Sequence, residues 1–164
     1  MAAQILDGNA LAKRIRQRLQ GVVAEWKSQG FRPPGLAVIL VGDDPASAVY
    51  VKGKRRDCEE VGVYSKALHL DAAIDQAELE AHIDGLNADP NIDGILVQSP
   101  LSPHHNEDRI IDRILPNKDV DGFHAYNIGR LALRRPTLRS CTPMGVMQML
   151  DHIGTQYKGS HATI

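Results

Sequence analysis

Apolar residues follow two different spacings along the chain, and each change of spacing marks a predicted element. They recur at helical intervals over 11–26, after Asp7 as the expected N-cap and before Gly30. A proline-containing turn follows, and then a continuous apolar run over 36–41. A run without polar positions is typical of a strand that is buried on both faces of a sheet. The start of the chain therefore predicts a long amphipathic helix and then a buried strand.

The same order of strand and helix continues through the next part of the chain. The spacing predicts strands over 64–70 and 92–98 and helices over 46–61, 75–87 and 106–115. Strands that alternate with helices imply right-handed crossovers and a mostly parallel sheet. We therefore expect an α/β fold, in which a three-layer α-β-α domain is built around that sheet.

Beyond these elements the chain has the character of a connection. A short helix is predicted over 126–133, before Pro136 interrupts the pattern. Thr142 as N-cap and Pro143 in the first turn predict a further helix, which ends at Gly154. This last helix is expected to bridge two domains.

The segment over 157–164 contains a short, β-leaning apolar stretch after Gly159. No helix pattern and no glycine-rich turn follow it, so we expect it to be the first strand of a second, incomplete domain. The predicted organisation is thus a first domain over 1–140, a connecting helix over 141–156 and this strand.

The composition excludes several functional classes. The formal net charge is -1 at pH 7 and charges of both signs are interspersed, so we expect no nucleic-acid partner and no membrane partner. No apolar run approaches the roughly 20 residues that span a bilayer, and Asp7 precedes any signal-like core, so we expect a cytoplasmic protein. Cys58 and Cys141 have neither metal-binding nor redox spacing, which favours two reduced thiols and no metal site.

The segment over 41–54 carries the first candidates for chemistry. Its apolar run stops at a turn, and a helix then opens with Tyr50 and Lys54 four residues apart on one face. A phenol ring can hold a flat aromatic ligand, and an amine can move a proton beside it. An isolated pair of this kind more often belongs to a solvated helix surface, so the pair alone leaves both interpretations open.

Gln98 is the second candidate, because it ends an apolar strand that Pro100 then breaks. Ligands of open α/β sheets bind in the crevice outside the carboxyl ends of the strands. We therefore expect Gln98 and the helix that carries Tyr50 and Lys54 to face one cleft.

The third candidate segment is the loop over 116–123, in which Asp119 and Asp121 alternate before Gly122. Taken alone, this pattern also fits a solvated turn or a partial calcium loop. The ligand spacing of an EF-hand does not continue beyond Gly122. We expect Asp119 to shape the loop rather than to touch a ligand.

In this order and spacing, the three segments closely resemble the family of bifunctional methylenetetrahydrofolate dehydrogenase/methenyltetrahydrofolate cyclohydrolase enzymes. Further matching motifs lie at 125–131 and 141–145, and the likeness extends from about Ile5 to the end of the chain. The family more often has leucine where this chain has Ser99, and proline or a similar residue near Ser102. The wall of the pocket is therefore expected to differ in shape.

The resemblance implies the oxidation of 5,10-methylenetetrahydrofolate with NADP, followed by hydration of the methenyl product to 10-formyltetrahydrofolate. It implies that Lys54 handles the proton in the hydration step and that Gln98 orients it. It also implies that Tyr50 stacks on the folate and that Asp121 accepts hydrogen bonds from the pterin. By the same resemblance, the residues in contact with the substrate are Tyr50, Gln98, Ser99, Pro100, Leu101 and Asp121.

The resemblance further implies a Rossmann-type NADP-binding domain after this region. Neither a Gly-x-Gly-x-x-Gly turn nor a Walker-type Gly-Lys-Ser/Thr sequence occurs in the chain. We therefore expect the residues that bind NADP beyond Ile164. For the full-length protein we expect a folate substrate and a homodimer.

Two other interpretations stay open at this point. The chain could be a folate-binding or dimer-forming module without turnover, and the sequence beyond Ile164 would decide this. It could also belong to a different two-domain dehydrogenase of an amino-acid or shikimate type. The combination of Tyr50, Lys54, Gln98 and Asp121 argues against that last interpretation.

Overall fold

The computed structural model describes residues 5–161 and 163, in which helices and strands alternate through the first part of the chain. The strands are β1 (Gly35–Val41), β2 (Tyr64–Leu70) and β3 (Gly94–Val97). The helices are α1 (Gly8–Ser28), α2 (Pro45–Val61), α3 (Gln76–Ala88), α4 (Glu107–Arg113), α5 (Ala125–Ala132) and α6 (Cys141–His152). The predicted order of elements up to α6 is confirmed.

The described strands form one parallel sheet in the order β2-β1-β3. In the middle strand, Val38 pairs with Ala67 of β2 on one side and with Leu96 of β3 on the other. Parallel neighbours require a crossover, and α2 and α3 supply one each. The prediction of an α/β fold with a parallel sheet is confirmed.

The side chains of β1 point alternately to the two faces of the sheet, and both faces are covered. On one face β1 packs against α2, which contacts α1 in turn, and the buried cluster consists of Val38, Leu40, Val51 and Leu96. On the other face β1 packs against α3 and α4, in a cluster that includes Ile39, Leu79, Ile83 and Ile110. Burial of each such side chain contributes about 1.5–3 kcal/mol. The predicted three-layer arrangement is therefore confirmed and rests on apolar burial.

Short polar side chains begin four of the helices. Asp7, Asp44, Asp75 and Asn106 each accept a hydrogen bond from the backbone N–H three residues further along. At the start of α2, Pro45 occupies the first turn, where the missing N–H has no intrahelical acceptor. The prediction of Asp7 as the N-cap of α1 is confirmed.

The prediction for the start of α6 is wrong by two residues. Ser140 is the N-cap, without a side-chain hydrogen bond, and Thr142 and Pro143 lie inside the first turn. The N–H groups of a first turn have no acceptor within the helix, so proline is tolerated at each of these positions. Pro143 therefore indicated a helix start but did not fix its first residue.

The strand predicted over 157–164 is not formed in the part of this segment that the structure describes. Residues 157–161 make a turn around Lys158 and Gly159, and no described strand lies beside them. Ala162 and Ile164 lie outside the described residues. A strand needs a neighbour for its backbone hydrogen bonds, which is the physical reason for the difference. The division into two domains stays a prediction.

The loop between α4 and α5 lies along the outer side of β3. The carbonyl of Lys118 accepts a hydrogen bond from the Ile95 N–H at 2.7 Å, next to an isolated parallel bridge between Ile95 and Asp119. Gly122 in this loop has a φ of 69°, and a Cβ there would lie 2.7 Å from the backbone of Arg139 and Ser140. Glycine is required here because backbone packs directly on backbone.

We expect Gly122→Ala to lower the free energy of unfolding by more than the cost of placing an alanine at a positive φ. A positive φ costs an alanine about 1–2 kcal/mol, and the overlap with Arg139 and Ser140 adds to that cost. Gly30→Ala is the matched control, since Gly30 also has a positive φ but nothing within 4 Å. Urea denaturation measures both losses, and equal losses would contradict the close contact at Gly122.

Candidate functional site

One cleft lies at the carboxyl ends of β1 and β3, where the sheet meets the loop after α4. It has a volume of about 230 Å³. Its apolar walls come from β3, α4 and Phe123. Its polar lining consists of Lys54, Gln98, Ser99, Glu107, Asp119, Asp121 and Thr142. Residues from five separate segments thus meet at the edge of the sheet where open α/β folds bind ligands.

Lys54 and Gln98 are in direct contact. The Lys54 Nζ donates a hydrogen bond of 2.9 Å to the Gln98 Oε1. The Gln98 Nε2 donates in turn to the carbonyl of Ser99 at 2.8 Å. The Gln98 backbone N–H donates to the Ile39 carbonyl and so extends the hydrogen bonding between β1 and β3. A flip of the Gln98 amide would lose both side-chain hydrogen bonds, so its oxygen is held towards Lys54.

The other predicted contact residues lie at different depths. Tyr50 is one helical turn before Lys54 on α2, but its side chain is 66% exposed and does not line the cleft. Ser99 and Leu101 line the cleft, whereas Pro100, after a cis peptide bond, does not. The structure therefore brings together Lys54, Gln98, Ser99 and Leu101 with Asp121, and leaves Tyr50 and Pro100 outside the cleft walls.

Asp121 is half-buried in this cleft, and its environment favours the neutral form of the acid. Burial is the largest cause and raises the pKa of the Asp121 carboxyl above its ordinary value. The positive charge of Lys54 lowers that pKa, and the negative charge of Asp119 raises it. The net direction is upwards, so burial and like charge together outweigh the nearby amine.

Asp119 lies behind Asp121 and is only 2% exposed. Its Oδ1 accepts from the Gly122 N–H at 3.0 Å. Its Oδ2 accepts from the His124 N–H at 2.9 Å and from the Asn127 Nδ2 at 2.8 Å. The sequence prediction that Asp119 shapes the loop agrees with these three hydrogen bonds.

Two further residues hold this loop from its other sides. The Lys118 Nζ donates to three carbonyl oxygens at the end of α3, those of Leu86, Asn87 and Asp89, at 2.8–3.1 Å. Asn127 donates its second amide hydrogen to the Pro116 carbonyl at 2.8 Å. These hydrogen bonds tie the loop to α3 and α5 on either side of Asp121 and so fix its place.

The sequence analysis missed Glu107. It lies in the first turn of α4, accepts a hydrogen bond from the Ser99 hydroxyl and adds a carboxylate to the cleft. An acidic residue after an N-cap is common in helices, so the position of Glu107 did not indicate a functional role. The contact itself depends on Ser99, where the family pattern more often has leucine.

The two cysteines are free and differ in their surroundings. Cys58 lies on the buried face of α2, and burial raises the pKa of its thiol. Cys141 is classed as exposed, yet burial of the Sγ and the charge of Asp121 raise the pKa of its thiol. Both shifts favour the protonated thiol, as expected for cysteines without redox or metal chemistry.

A larger groove of about 840 Å³ runs between β2 and the side of α2 that faces away from Lys54. Lys52, Arg55 and His69 line it, and it contains none of the predicted site residues. Size alone does not identify a binding site, so the smaller cleft with its converging polar groups is the better candidate.

Two general properties of the described residues complete the description. Over 5–161, no helix combines the length and the apolar character needed to cross a bilayer. Within the same residues, no group of three histidine, cysteine or acidic side chains is arranged to hold a metal ion.

Comparison with known proteins gives one consistent family. The family model of the tetrahydrofolate dehydrogenase/cyclohydrolase catalytic domain matches residues 6–121. The solved bifunctional methylenetetrahydrofolate dehydrogenase/cyclohydrolase of Campylobacter jejuni is 46% identical with a TM-score of 0.90, over 93% of this chain and 54% of that chain. The 5,10-methylenetetrahydrofolate dehydrogenase of the silkworm Bombyx mori is 43% identical with a TM-score of 0.91, over 93% and 53% of the two chains.

A third similar structure is the methylenetetrahydrofolate dehydrogenase-cyclohydrolase of Trypanosoma brucei, complexed with NADP cofactor and inhibitor. It is 34% identical with a TM-score of 0.91, over 97% of this chain and 55% of that chain. This chain therefore spans about half the length of these relatives. With a family model over 6–121 and this agreement in fold, the chain belongs to the tetrahydrofolate dehydrogenase/cyclohydrolase family.

Proposed function

We propose that the protein oxidises 5,10-methylenetetrahydrofolate to the methenyl form with NADP and hydrolyses that product to 10-formyltetrahydrofolate. The observation that carries this proposal is the hydrogen bond of 2.9 Å between Lys54 and Gln98, in a cleft that also contains Asp121. Because the chain spans about half the length of its relatives, the complete activity is proposed for the whole protein.

Lys54 is the group that we propose to handle the proton during hydration. Water that attacks the methenyl carbon forms a C–O bond and releases a proton, after which one C–N bond of the ring opens. An amine in this position can take up that proton when it is in its neutral form, and can then return it to the departing nitrogen. Gln98 fixes the direction of the Lys54 Nζ through its amide oxygen, so the two residues act as proton carrier and orienting group.

Asp121, Tyr50 and the segment after β3 are the proposed contacts with the folate. The Asp121 carboxylate, when ionised, would accept hydrogen bonds from the amino edge of the pterin. The exposed ring of Tyr50 would cover the aromatic part of the ligand from above the cleft. Ser99, Pro100 and Leu101 would form the adjoining wall. This arrangement assigns binding to one side of the cleft and proton transfer to the other.

The start of α2 does not suit the pyrophosphate of NADP. Dinucleotide sites use a glycine-rich turn at a helix N-terminus. The turn before α2 has one glycine, Gly42, followed by Asp43 and Asp44, and Asp44 already accepts from the Ser47 N–H at 2.7 Å. Two carboxylates at this helix start would repel a phosphate. We propose that NADP binds in a part of the protein beyond Ile164.

The division of the chain follows from the same proposal. Residues 1–140 would bind folate, 141–156 would link two domains and 157–164 would enter the NADP-binding domain. We further propose that the full-length protein is a cytoplasmic homodimer that serves one-carbon metabolism. The lack of a pyrophosphate site in the described part of the chain favours an alternative for these residues alone. They would then bind folate, or form a dimer, without oxidising the substrate.

Lys54→Met is expected to lower cyclohydrolase turnover of the full-length protein by on the order of 10²-fold or more. The substitution keeps the apolar stem and removes the proton carrier. Lys52→Met is the matched control, since Lys52 lies on α2 but outside the cleft. Hydration of methenyltetrahydrofolate, followed by its absorbance, measures both variants. Turnover of Lys54→Met within a few fold of the wild type would assign Lys54 a structural role.

Asp121→Asn is expected to weaken folate binding by roughly ten- to a hundredfold, because a charge-assisted hydrogen bond contributes about 1.5–3 kcal/mol. Its effect on stability has the opposite sign. A carboxyl whose pKa is raised on folding costs stability once it is ionised, and this cost disappears as the pH falls through that pKa. The variant should therefore be more stable than the wild type near pH 7 and equally stable in acid.

Calorimetry with a folate analogue and thermal unfolding at several pH values measure the two effects of Asp121→Asn. Asp84→Asn is a suitable control, because Asp84 is exposed and pairs with Arg113 far from the cleft. Unchanged folate affinity in Asp121→Asn would remove Asp121 from the proposed site.

NADP is expected to bind negligibly to the purified 164-residue chain, and dehydrogenase activity is expected to be absent. The physical reason is that the chain has no Gly-x-Gly-x-x-Gly turn and that two carboxylates stand at the start of α2. Titration of NADP by calorimetry, with a folate analogue as the parallel ligand, tests this expectation. Saturable micromolar binding of NADP would place the cofactor site within these residues and contradict the domain division.

A further inference from the structure

Asp119 is an acidic residue that is almost completely buried, and among the described residues no cation forms a salt bridge with it. Its side chain is 2% exposed. Among residues 5–161 it takes part in no salt bridge. Buried carboxylates usually pair with a cation, because loss of hydration is costly. Here three N–H donors from Gly122, His124 and Asn127 replace that water.

These three hydrogen bonds determine the path of the loop. Two of them come from backbone N–H groups on the far side of Asp121, at Gly122 and His124. The chain is therefore folded back around the Asp119 carboxylate, and Asp121 stands at the outside of the resulting turn. The third donor is Asn127 of α5, whose own amide oxygen accepts from the Thr137 hydroxyl at 2.5 Å. An acceptor-only carboxylate matches this set of donors, whereas a neutral amide at position 119 would oppose part of it.

We infer that Asp119 is a positioning residue of the folate site, which folds the turn that presents Asp121 and places a buried negative charge next to the Asp121 carboxylate. This inference rests on the proposed folate-binding function. It adds a division of roles within the pair, in which Asp119 shapes the turn and Asp121 meets the ligand.

The charge of Asp119 acts on Asp121 together with groups from the other elements around the cleft. Lys54 of α2 faces Asp121 with a positive charge, and the Cys141 thiol of α6 lies close to it. Glu107 of α4 lines the same cleft. Of these groups, Lys54 opposes and Asp119 supports a raised pKa of Asp121, after burial as the main cause. Two carboxylates with different environments can thus serve different tasks.

Asp119→Asn tests the charge, and Asn127→Ala tests the turn while the charge remains. Asn127→Ala removes one donor to Asp119 and the contact to Pro116. Asp71→Asn is the matched control, because Asp71 also accepts a hydrogen bond from a backbone N–H in a turn. The donor is Ala73 at 2.7 Å, and the turn lies away from the cleft.

Two measurements are made on each variant. The first is the ¹³C NMR titration of the Asp121 carboxyl carbon without ligand, and the second is the affinity for 5-formyltetrahydrofolate as a function of pH.

In Asp119→Asn, the titration midpoint of Asp121 should move to lower pH, because a like charge has been removed. The acid limb of ligand binding should move in the same direction, since Asp121 then stays ionised to lower pH. In Asn127→Ala, the affinity should fall about three- to tenfold from loss of one supporting hydrogen bond, with the midpoint unchanged. Asp71→Asn should change neither quantity.

The inference would be overturned if the titration midpoint of Asp121 were the same in Asp119→Asn as in the wild type. It would also be overturned if Asn127→Ala bound the ligand with wild-type affinity. If Asp119→Asn does not fold, the affinity of Asn127→Ala decides whether the turn positions Asp121, and a wild-type Asp121 midpoint at the value of an exposed aspartate would overturn the effect of the Asp119 charge. If the wild-type protein fails to bind 5-formyltetrahydrofolate, the proposed function fails, whereas the ligand-free titration still decides the relation between Asp119 and Asp121.

Discussion

The burial of β1 on both faces is the constraint on which the rest of the structure depends. All seven residues of this strand, 35–41, are apolar or glycine, and it pairs with β2 on one side and with β3 on the other. A strand of this kind cannot face water on either side, so helices must cover both faces. Parallel pairing then places the carboxyl ends of β1 and β3 at one edge. Lys54, in the middle of α2, and the segment after β3 are thereby brought to the same cleft.

The cleft gains its chemistry from side chains that are fixed by their neighbours. Lys54 is directed by Gln98, and the Gln98 amide is directed by the Ser99 carbonyl. On the opposite side, two residues of the loop hold Asp121 in place. Asp119 accepts the Gly122 N–H within the loop, and Lys118 donates to the Asn87 carbonyl of α3. Both halves of the site are therefore preorganised by hydrogen bonds that need no ligand, a condition for accurate placement of a reacting group.

The environment of Asp121 carries a cost for stability. Burial first, and the nearby anion Asp119 after it, make the ionised form of this carboxyl less stable than in water and raise its pKa. The charge of Lys54 offsets part of this cost, so the two groups of the site depend on each other. Sites that bind or transform ligands commonly keep such unfavourable arrangements, because the ligand supplies the missing partner.

The sequence by itself determined the order of elements, the layers and the segments that carry the site. Periodicity was sufficient for this, since a run buried on both faces and an amphipathic helix have different spacings. The local pattern did not predict the first residue of α6, because Pro143 suits several positions of a helix start. It also predicted a strand over 157–164, where no described strand lies beside the chain. Local patterns do not record which elements meet.

Only the tertiary structure decided which side chains touch one another. Glu107 and Ser99 lie on separate elements, and nothing in their local sequence indicated that they meet in the cleft. The burial of Asp119, its three donors and the resulting effect on Asp121 likewise depend on the packing of the loop against β3, α5 and α6. Contacts between residues distant in sequence, and the local dielectric they create, exist only once the layers have packed.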